Sequence, residues 1–146
     1  QVVIAGAKAA VEKACEIAKA KGAKRALPLP VSAPFHSSLL KPASDRLREY
    51  LANVTVNAPV IPVINNVDVA VVSDPAAIKD ALVRQAASPV RWVETVQKMK
   101  GDGITRVVEC GPGKVLAGLV KRIDGEIVGD AIFDPASLEA VLGQLK

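Results

Sequence analysis

Aromatic residues make up only 3% of this 146-residue chain, cysteine occurs twice and histidine once. So few rings leave little on which bases could stack, which sets nucleic acid aside as a partner. Two thiols build no disulfide framework; Cys15 in a helical pattern and Cys110 at the end of a strand pattern are expected to be buried and inert. A lone histidine among dispersed carboxylates has no metal-ligand spacing. Apolar runs such as Val69 to Val72 fall far short of a bilayer, so no membrane span is expected, and no secretory leader is visible. The chain opens on Gln1 directly inside the apolar run Val2-Val3-Ile4-Ala5, which leads us to expect a truncated or processed polypeptide. Low-complexity tracts and internal repeats are absent as well. The most telling gap is chemical: there is no Gly-x-Ser-x-Gly, nor any other elbow that would present a nucleophile.

What is present is the make-up of one ordinary core. Hydrophobic residues are 50% and charged residues 23%, with a mean hydropathy of +0.28, the balance of a soluble globular protein rather than a disordered one. The net charge of +4 is spread along the sequence. Such a mild excess suits an acidic partner or a phosphate-bearing substrate, but it is common in proteins that bind neither.

Periodicity gives an alternation of strands and helices. Val2 to Ala5 reads as a short buried strand, and residues 7–21 place Val11, Ala14, Cys15 and Ala18 on one helical face before Gly22 stops the helix. Residues 26–31 are extended, with Pro28 and Pro30 each deleting a ladder donor, so this is an edge or irregular strand. Leu40, Ala43, Leu47 and Leu51 share a helical face. Val60 to Val67 reads as a buried strand. Ser73-Asp74-Pro75 and Ser88-Pro89 are helix starts, the second helix ending at Gly101-Asp102-Gly103. Ile104 to Cys110 is the most strand-like run, Gly111-Pro112-Gly113 turns it into a helix, Ile127 to Phe133 is a last strand, and Asp134-Pro135 caps a final helix. The class is α/β, with a largely parallel sheet covered on both faces.

Chemistry concentrates at His36, in Pro30-Val31-Ser32-Ala33-Pro34-Phe35-His36-Ser37-Ser38. A proline-studded segment delivers an imidazole to the start of a helix, a place where α/β proteins put reactive side chains. Ser37 and Ser38 stand too close in sequence to be aimed back at the ring, and capping is their better role. With no nucleophile elbow in the sequence, the chain reads as the base-bearing part of a Ser-His enzyme whose serine lies outside it. Glu109-Cys110-Gly111-Pro112-Gly113-Lys114 invites a phosphate-loop reading, but a Walker motif needs glycine where Val108 stands and Ser or Thr where Val115 stands, and the dinucleotide fingerprint fails at Leu116. A tight strand-to-helix turn with a solvated Lys114 is the simpler account. The amides of Asn65-Asn66-Val67-Asp68 could line a crevice at the sheet's edge, with a turn the plainer role for Asp68, and Trp92 belongs to a core-facing helix.

These segments resemble a family in its order and spacing: Gln1-Val2-Val3-Ile4-Ala5-Gly6, Leu29-Pro30-Val31-Ser32-Ala33-Pro34-Phe35-His36-Ser37, Pro62-Val63-Ile64-Asn65-Asn66-Val67-Asp68, Leu82-Val83-Arg84-Gln85 with Pro89-Val90-Arg91-Trp92, and Glu109-Cys110-Gly111-Pro112-Gly113-Lys114-Val115-Leu116 are similar to those of malonyl-CoA:acyl-carrier-protein transacylases. The resemblance covers the whole chain but only about the C-terminal half of such an enzyme. It implies part of an α/β-hydrolase-like three-layer parallel sheet (residues 31–146), preceded by half of a small ferredoxin-like subdomain (residues 1–30). It implies malonyl transfer from coenzyme A to acyl carrier protein through a malonyl-serine ester, in cytoplasmic fatty-acid synthesis, with malonyl-CoA as substrate and no cofactor. By the same resemblance His36 is the base, and the backbone carbonyl of Gln85 holds its other ring nitrogen. Phe35 and Asn66 are then substrate-binding, Phe35 disfavouring a branched methylmalonyl group. The family's Gly-His-Ser-x-Gly elbow, its Gly-Gln-Gly segment and the arginine that pairs with the malonate carboxylate have no counterpart here. Alone, the chain is expected to be inactive and to need the missing N-terminal half as a partner. Lys114, Lys121 and Arg122 are candidate contacts for the acidic carrier protein, unless they form only a solvated face. A non-catalytic fragment, a portion of a polyketide-synthase acyltransferase and a small phosphate-binding module are the competing readings.

Overall fold

Asp74 shows how local chemistry sets the elements. Its carboxylate accepts a 2.8 Å hydrogen bond from Ala77 N, and Pro75 opens the helix that follows, where a missing N–H costs nothing. The computed structural model describes residues 2–145; Gln1, which begins the first of the quoted motifs, and Lys146 lie outside them. Among the described residues there are six α-helices and two small two-stranded sheets. The chain divides into two units at Val90/Arg91.

The first unit contains α1 (Lys8–Ala20), a 3-10 turn (Ser38–Leu40), α2 (Lys41–Ala52), the strands β1 (Ile64–Asn65) and β2 (Ala70–Val71), and α3 (Pro75–Ala87). Helix α1 half-buries Val11, Ala14, Cys15 and Ala18, the face that its periodicity predicts. It closes with Gly22 at φ 91°, while Ala23 N reaches Ala18 O and Gly22 N reaches Lys19 O, the paired bonds of a left-handed C-terminal cap. Helices α2 and α3 pack together. Ser44, rather than the predicted Ala43, is the buried residue of α2, and it donates its hydroxyl to the Val83 carbonyl of α3.

Two expected strands of this unit are absent. Residues 2–5 and 26–31 enter no ladder, and Val2 is 90% exposed. The predicted buried strand over 60–67 shrinks to two residues paired antiparallel with β2, and Val60 is 99% exposed. The physical reason is common to all three. Alternation and β-branching make a segment fit to pair, but a strand exists only where a neighbour accepts its backbone groups. Pro28, Pro30 and Pro62 further thin the donors.

The second unit is the α/β part. It runs α4 (Trp92–Gly101), β3 (Arg106–Cys110), α5 (Val115–Ile123), β4 (Val128–Ile132) and α6 (Pro135–Gln144). Helix α4 begins three residues after Pro89 rather than at it. Strands β3 and β4 are parallel, in register from Arg106↔Val128 to Cys110↔Ile132, with α5 as the crossover. Of the largely parallel sheet expected, this pair is the parallel part among the described residues. Val96, Val120 and Ile127 are buried at the core, and Trp92, Met99, Val107 and Ile123 pack round them. At Gly129 the backbone of α5 comes so close to β4 that a Cβ would lie 2.8 Å from Ala117 O. Asp134 opens α6 with a reciprocal capping box to Ser137. Both thiols are free, but Cys110, expected to be buried, is exposed because β3 ends there and the chain turns away.

Candidate functional site

The Pro34-Phe35-His36-Ser37 segment turns sharply before α2. Phe35 N bonds to Ala33 O at 2.9 Å, and Ser37 Oγ donates to Pro34 O at 2.7 Å. That second bond overturns the capping role expected of Ser37, whose hydroxyl makes no cap contact with the 3-10 turn. It also leaves this hydroxyl engaged with the Pro34 carbonyl. Between these bonds His36 takes φ 59°, the left-handed region, which costs a side-chain-bearing residue about 1–2 kcal/mol. Strain of this kind persists where the surroundings impose it, and it gathers at functional positions.

The strained backbone leaves the ring exposed, with Nδ1 3.1 Å from the Gln85 carbonyl oxygen. A carbonyl can only accept, so this contact calls for a proton on Nδ1, and in the neutral ring that leaves the lone pair on Nε2. Gln85 lies in the last turn of α3, where a helix leaves its final carbonyls without intrahelical donors. The residue four further on is Pro89, which has no N–H to give. Gln85 O receives instead a stretched 3.3 Å bond from Ser88 N. An underused acceptor is thus turned toward the imidazole.

The other predicted residues are placed as follows. Phe35 is 50% exposed beside His36. Asn66 is half-buried in the turn between β1 and β2. That turn is built by its neighbour: Asn65 accepts from Asp68 N at 2.8 Å and donates to Ala70 O at 3.1 Å, while Val69 is held at φ 58°.

Sequence reasoning missed the clamp on this turn. Arg84, one residue before Gln85, grips the Asp68 carboxylate at 2.7 and 2.8 Å and donates through Nε to Asp80 at 2.6 Å. The hydrogen bonds to Asp68 and then Asp80 raise the guanidinium's pKa still further. Hydrogen bonding to Arg84, with a lesser part from Arg48, holds the Asp80 carboxyl below the usual range. Asp80 and Arg84 stand at i,i+4 and could have been paired from sequence; Asp68, sixteen residues earlier, carries no such signal.

The loop after β3 is not an anion cradle. Glu109 Oε2 accepts from Ala117 N at 2.8 Å, so the chain's own carboxylate occupies the amino end of α5. Lys114 lies with its ammonium 5.7 Å from the centre of the Phe133 ring. Among the described residues no group of three or more His, Cys, Asp or Glu could hold a metal ion, and no helix is long and apolar enough to cross a membrane.

No family model matches the chain. Over 144 residues it is 54% identical to a malonyl CoA-acyl carrier protein transacylase of Salmonella typhimurium, covering 99% of this chain and 47% of that protein. It superposes on an acyl-carrier-protein S-malonyltransferase from Burkholderia pseudomallei with a TM-score of 0.90 at 77% identity, covering 93% of this chain and 44% of that one. A malonyl-transacylase solved in complex with a type II PKS acyl-carrier protein matches with a TM-score of 0.91 at 48% identity, over 94% of this chain and 44% of that one. The chain therefore spans about half the length of the curated relatives it matches.

Proposed function

We propose that this chain, a homologue of malonyl CoA-acyl carrier protein transacylases over about half their length, carries the general base of a malonyl transfer whose serine lies on another stretch of polypeptide. The observation that carries the reading is the 3.1 Å contact between His36 Nδ1 and the Gln85 carbonyl. With Nδ1 protonated, Nε2 is the basic atom. It takes the serine proton as Oγ attacks the thioester carbonyl of malonyl-CoA, the C–S bond breaks, and the imidazolium protonates the departing coenzyme A thiolate. In the second half-reaction Nε2 takes the proton of the carrier's phosphopantetheine thiol. That sulfur attacks the malonyl-serine ester, and the serine oxygen leaves with the proton returned to it. A neutral carbonyl as orienter fixes the tautomer without the charge stabilisation that a carboxylate would add.

On this reading residues 1–30 belong to a ferredoxin-like subdomain and residues 31–146 to an α/β-hydrolase-like one, and the protein works in the cytoplasm in fatty-acid synthesis. Malonyl-CoA and acyl carrier protein are its substrates. Phe35 and Asn66 line the acyl site. The relative solved with a type II PKS acyl-carrier protein makes a polyketide carrier the second candidate acceptor.

The experiment joins this chain to the N-terminal half of the Salmonella relative and follows malonyl transfer from malonyl-CoA to fatty-acid and polyketide carrier proteins. The chain alone should be inactive and the joined enzyme active. His36→Ala should lower kcat by about a hundred- to ten-thousandfold. Transfer by the joined enzyme that survives His36→Ala undiminished overturns the assignment of the base.

A further inference from the structure

We propose that the side-chain amide of Gln85 and the ring of Pro89 are positioning devices for His36, acting through the Gln85 carbonyl; the proposal rests on the reading of His36 as the base. The amide nitrogen of Gln85 lies 3.2 Å from Ser88 O and 3.2 Å from Pro89 O, so one NH2 group donates to the two carbonyls that follow the helix end. Those two bonds fold residues 85–89 into a closed loop about the Gln85 peptide. Its carbonyl takes the 3.3 Å bond from Ser88 N and the 3.1 Å contact from His36 Nδ1, and nothing stronger.

Each device has a distinct job. Pro89 withholds the one backbone donor that a continuing α-helix would aim at this oxygen. The amide stops the freed end of α3 from fraying, which would swing the carbonyl off the ring. Glutamine is suited to this because its nitrogen offers two hydrogens, whereas glutamate would set an acceptor against two acceptors and methionine would fill the space with no donor. The side chain therefore matters to an interaction that the ring makes with backbone alone.

The test uses the joined enzyme described above, with only this chain labelled with 15N. His36 is the one histidine of the chain, so long-range 1H–15N correlations report its tautomer without overlap. Gln85→Met keeps the carbonyl and the side-chain length but removes the clamp; Pro89→Ala restores an N–H that competes for the oxygen. Both should lower kcat by about ten- to a hundredfold with KM little changed. Both should also convert a spectrum of the Nδ1–H tautomer into a mixture of the two.

A purely structural role would reduce the amount of folded protein but leave the tautomer of the folded molecules alone. If both variants keep the parent kcat and the parent tautomer while His36→Ala abolishes transfer, the clamp is wrong and the base stands. If His36→Ala leaves transfer intact, the base is wrong whatever the tautomer does. The spectrum is readable whether or not transfer is reconstituted, so the clamp is decided in either case.

Discussion

Phe35 and His36 sit side by side on a strained turn, and their side chains differ in what they can do. The imidazole has a fixed hydrogen-bond partner in Gln85 O. The phenyl ring has half its surface open, and on the proposed reading that surface bounds the acyl site. A ring so placed selects by volume, and one extra methyl group in an apolar site is worth about 1–3 kcal/mol of discrimination. Phe35→Ser in the joined enzyme should therefore raise the methylmalonyl-to-malonyl ratio of kcat/KM by about tenfold or more. An unchanged ratio removes Phe35 from the acyl site. The residue type alone made His36 conspicuous, because it is the only imidazole in the sequence. It could not reveal Gln85, whose contact with the ring is made by a backbone carbonyl, an atom that every residue owns. Family resemblance points to Gln85, whereas the underused carbonyl itself, at a helix end with proline four residues on, is a local feature legible in Gln85 and Pro89 directly.

Among the elements, the helices and the strands β3 and β4 were legible while the strands expected over 2–5, 26–31 and 60–67 were not, and the difference lies in where their hydrogen bonds go. Helix α3 satisfies its backbone within its own residues and announces its ends by Asp74, Pro75 and Pro89. The face that α1 half-buries follows from a 3.6-residue period. A strand depends on a partner elsewhere, so Val60 and Val2 have strand-like sequence without strand structure, while β3 and β4 form because α5 returns the chain alongside. That return is tight at one point. Ala117 O would stand 2.8 Å from a Cβ at position 129, and the atom in the way is helix backbone that cannot rotate aside. Gly129→Ala should destabilise the second unit by about 1–3 kcal/mol, seen as a lower urea midpoint. Gly118→Ala, on the same crossover helix with nothing within 4 Å of its added Cβ, is the control and should be neutral or slightly stabilising. Equal midpoints for the Gly129→Ala variant and the parent would mean that α5 does not press on β4.

For the molecule as a whole, charge decides how it answers to acid. Nineteen basic side chains face fifteen carboxylates at neutral pH, so every carboxylate that takes a proton adds to an existing positive excess. Several of those carboxylates are tied to partners that exist only in the folded chain. Asp124 is held low chiefly by its hydrogen bond from Lys100, Glu94 by Arg91, Asp80 by Arg84, and Asp134 by the Ser137 backbone N–H and then its hydroxyl. A carboxyl whose folded pKa lies below its unfolded value binds fewer protons in the folded state. Its contribution is complete above the ordinary carboxylate value of about 4 and drains away as the pH falls through the lowered one. The melting temperature of the chain should be level from about pH 7 to pH 5 and then fall toward about pH 3. Asp134→Asn keeps a residue that caps helices well but removes the titrating group. Its melting temperature should lie below the parent's at neutral pH, where the carboxylate also favours the helix amino end, and approach the parent's at the acid end. A gap between the two that stays constant across the whole range would show that the α6 cap takes no part in the acid response, leaving it to the ion pairs of Asp80, Glu94 and Asp124.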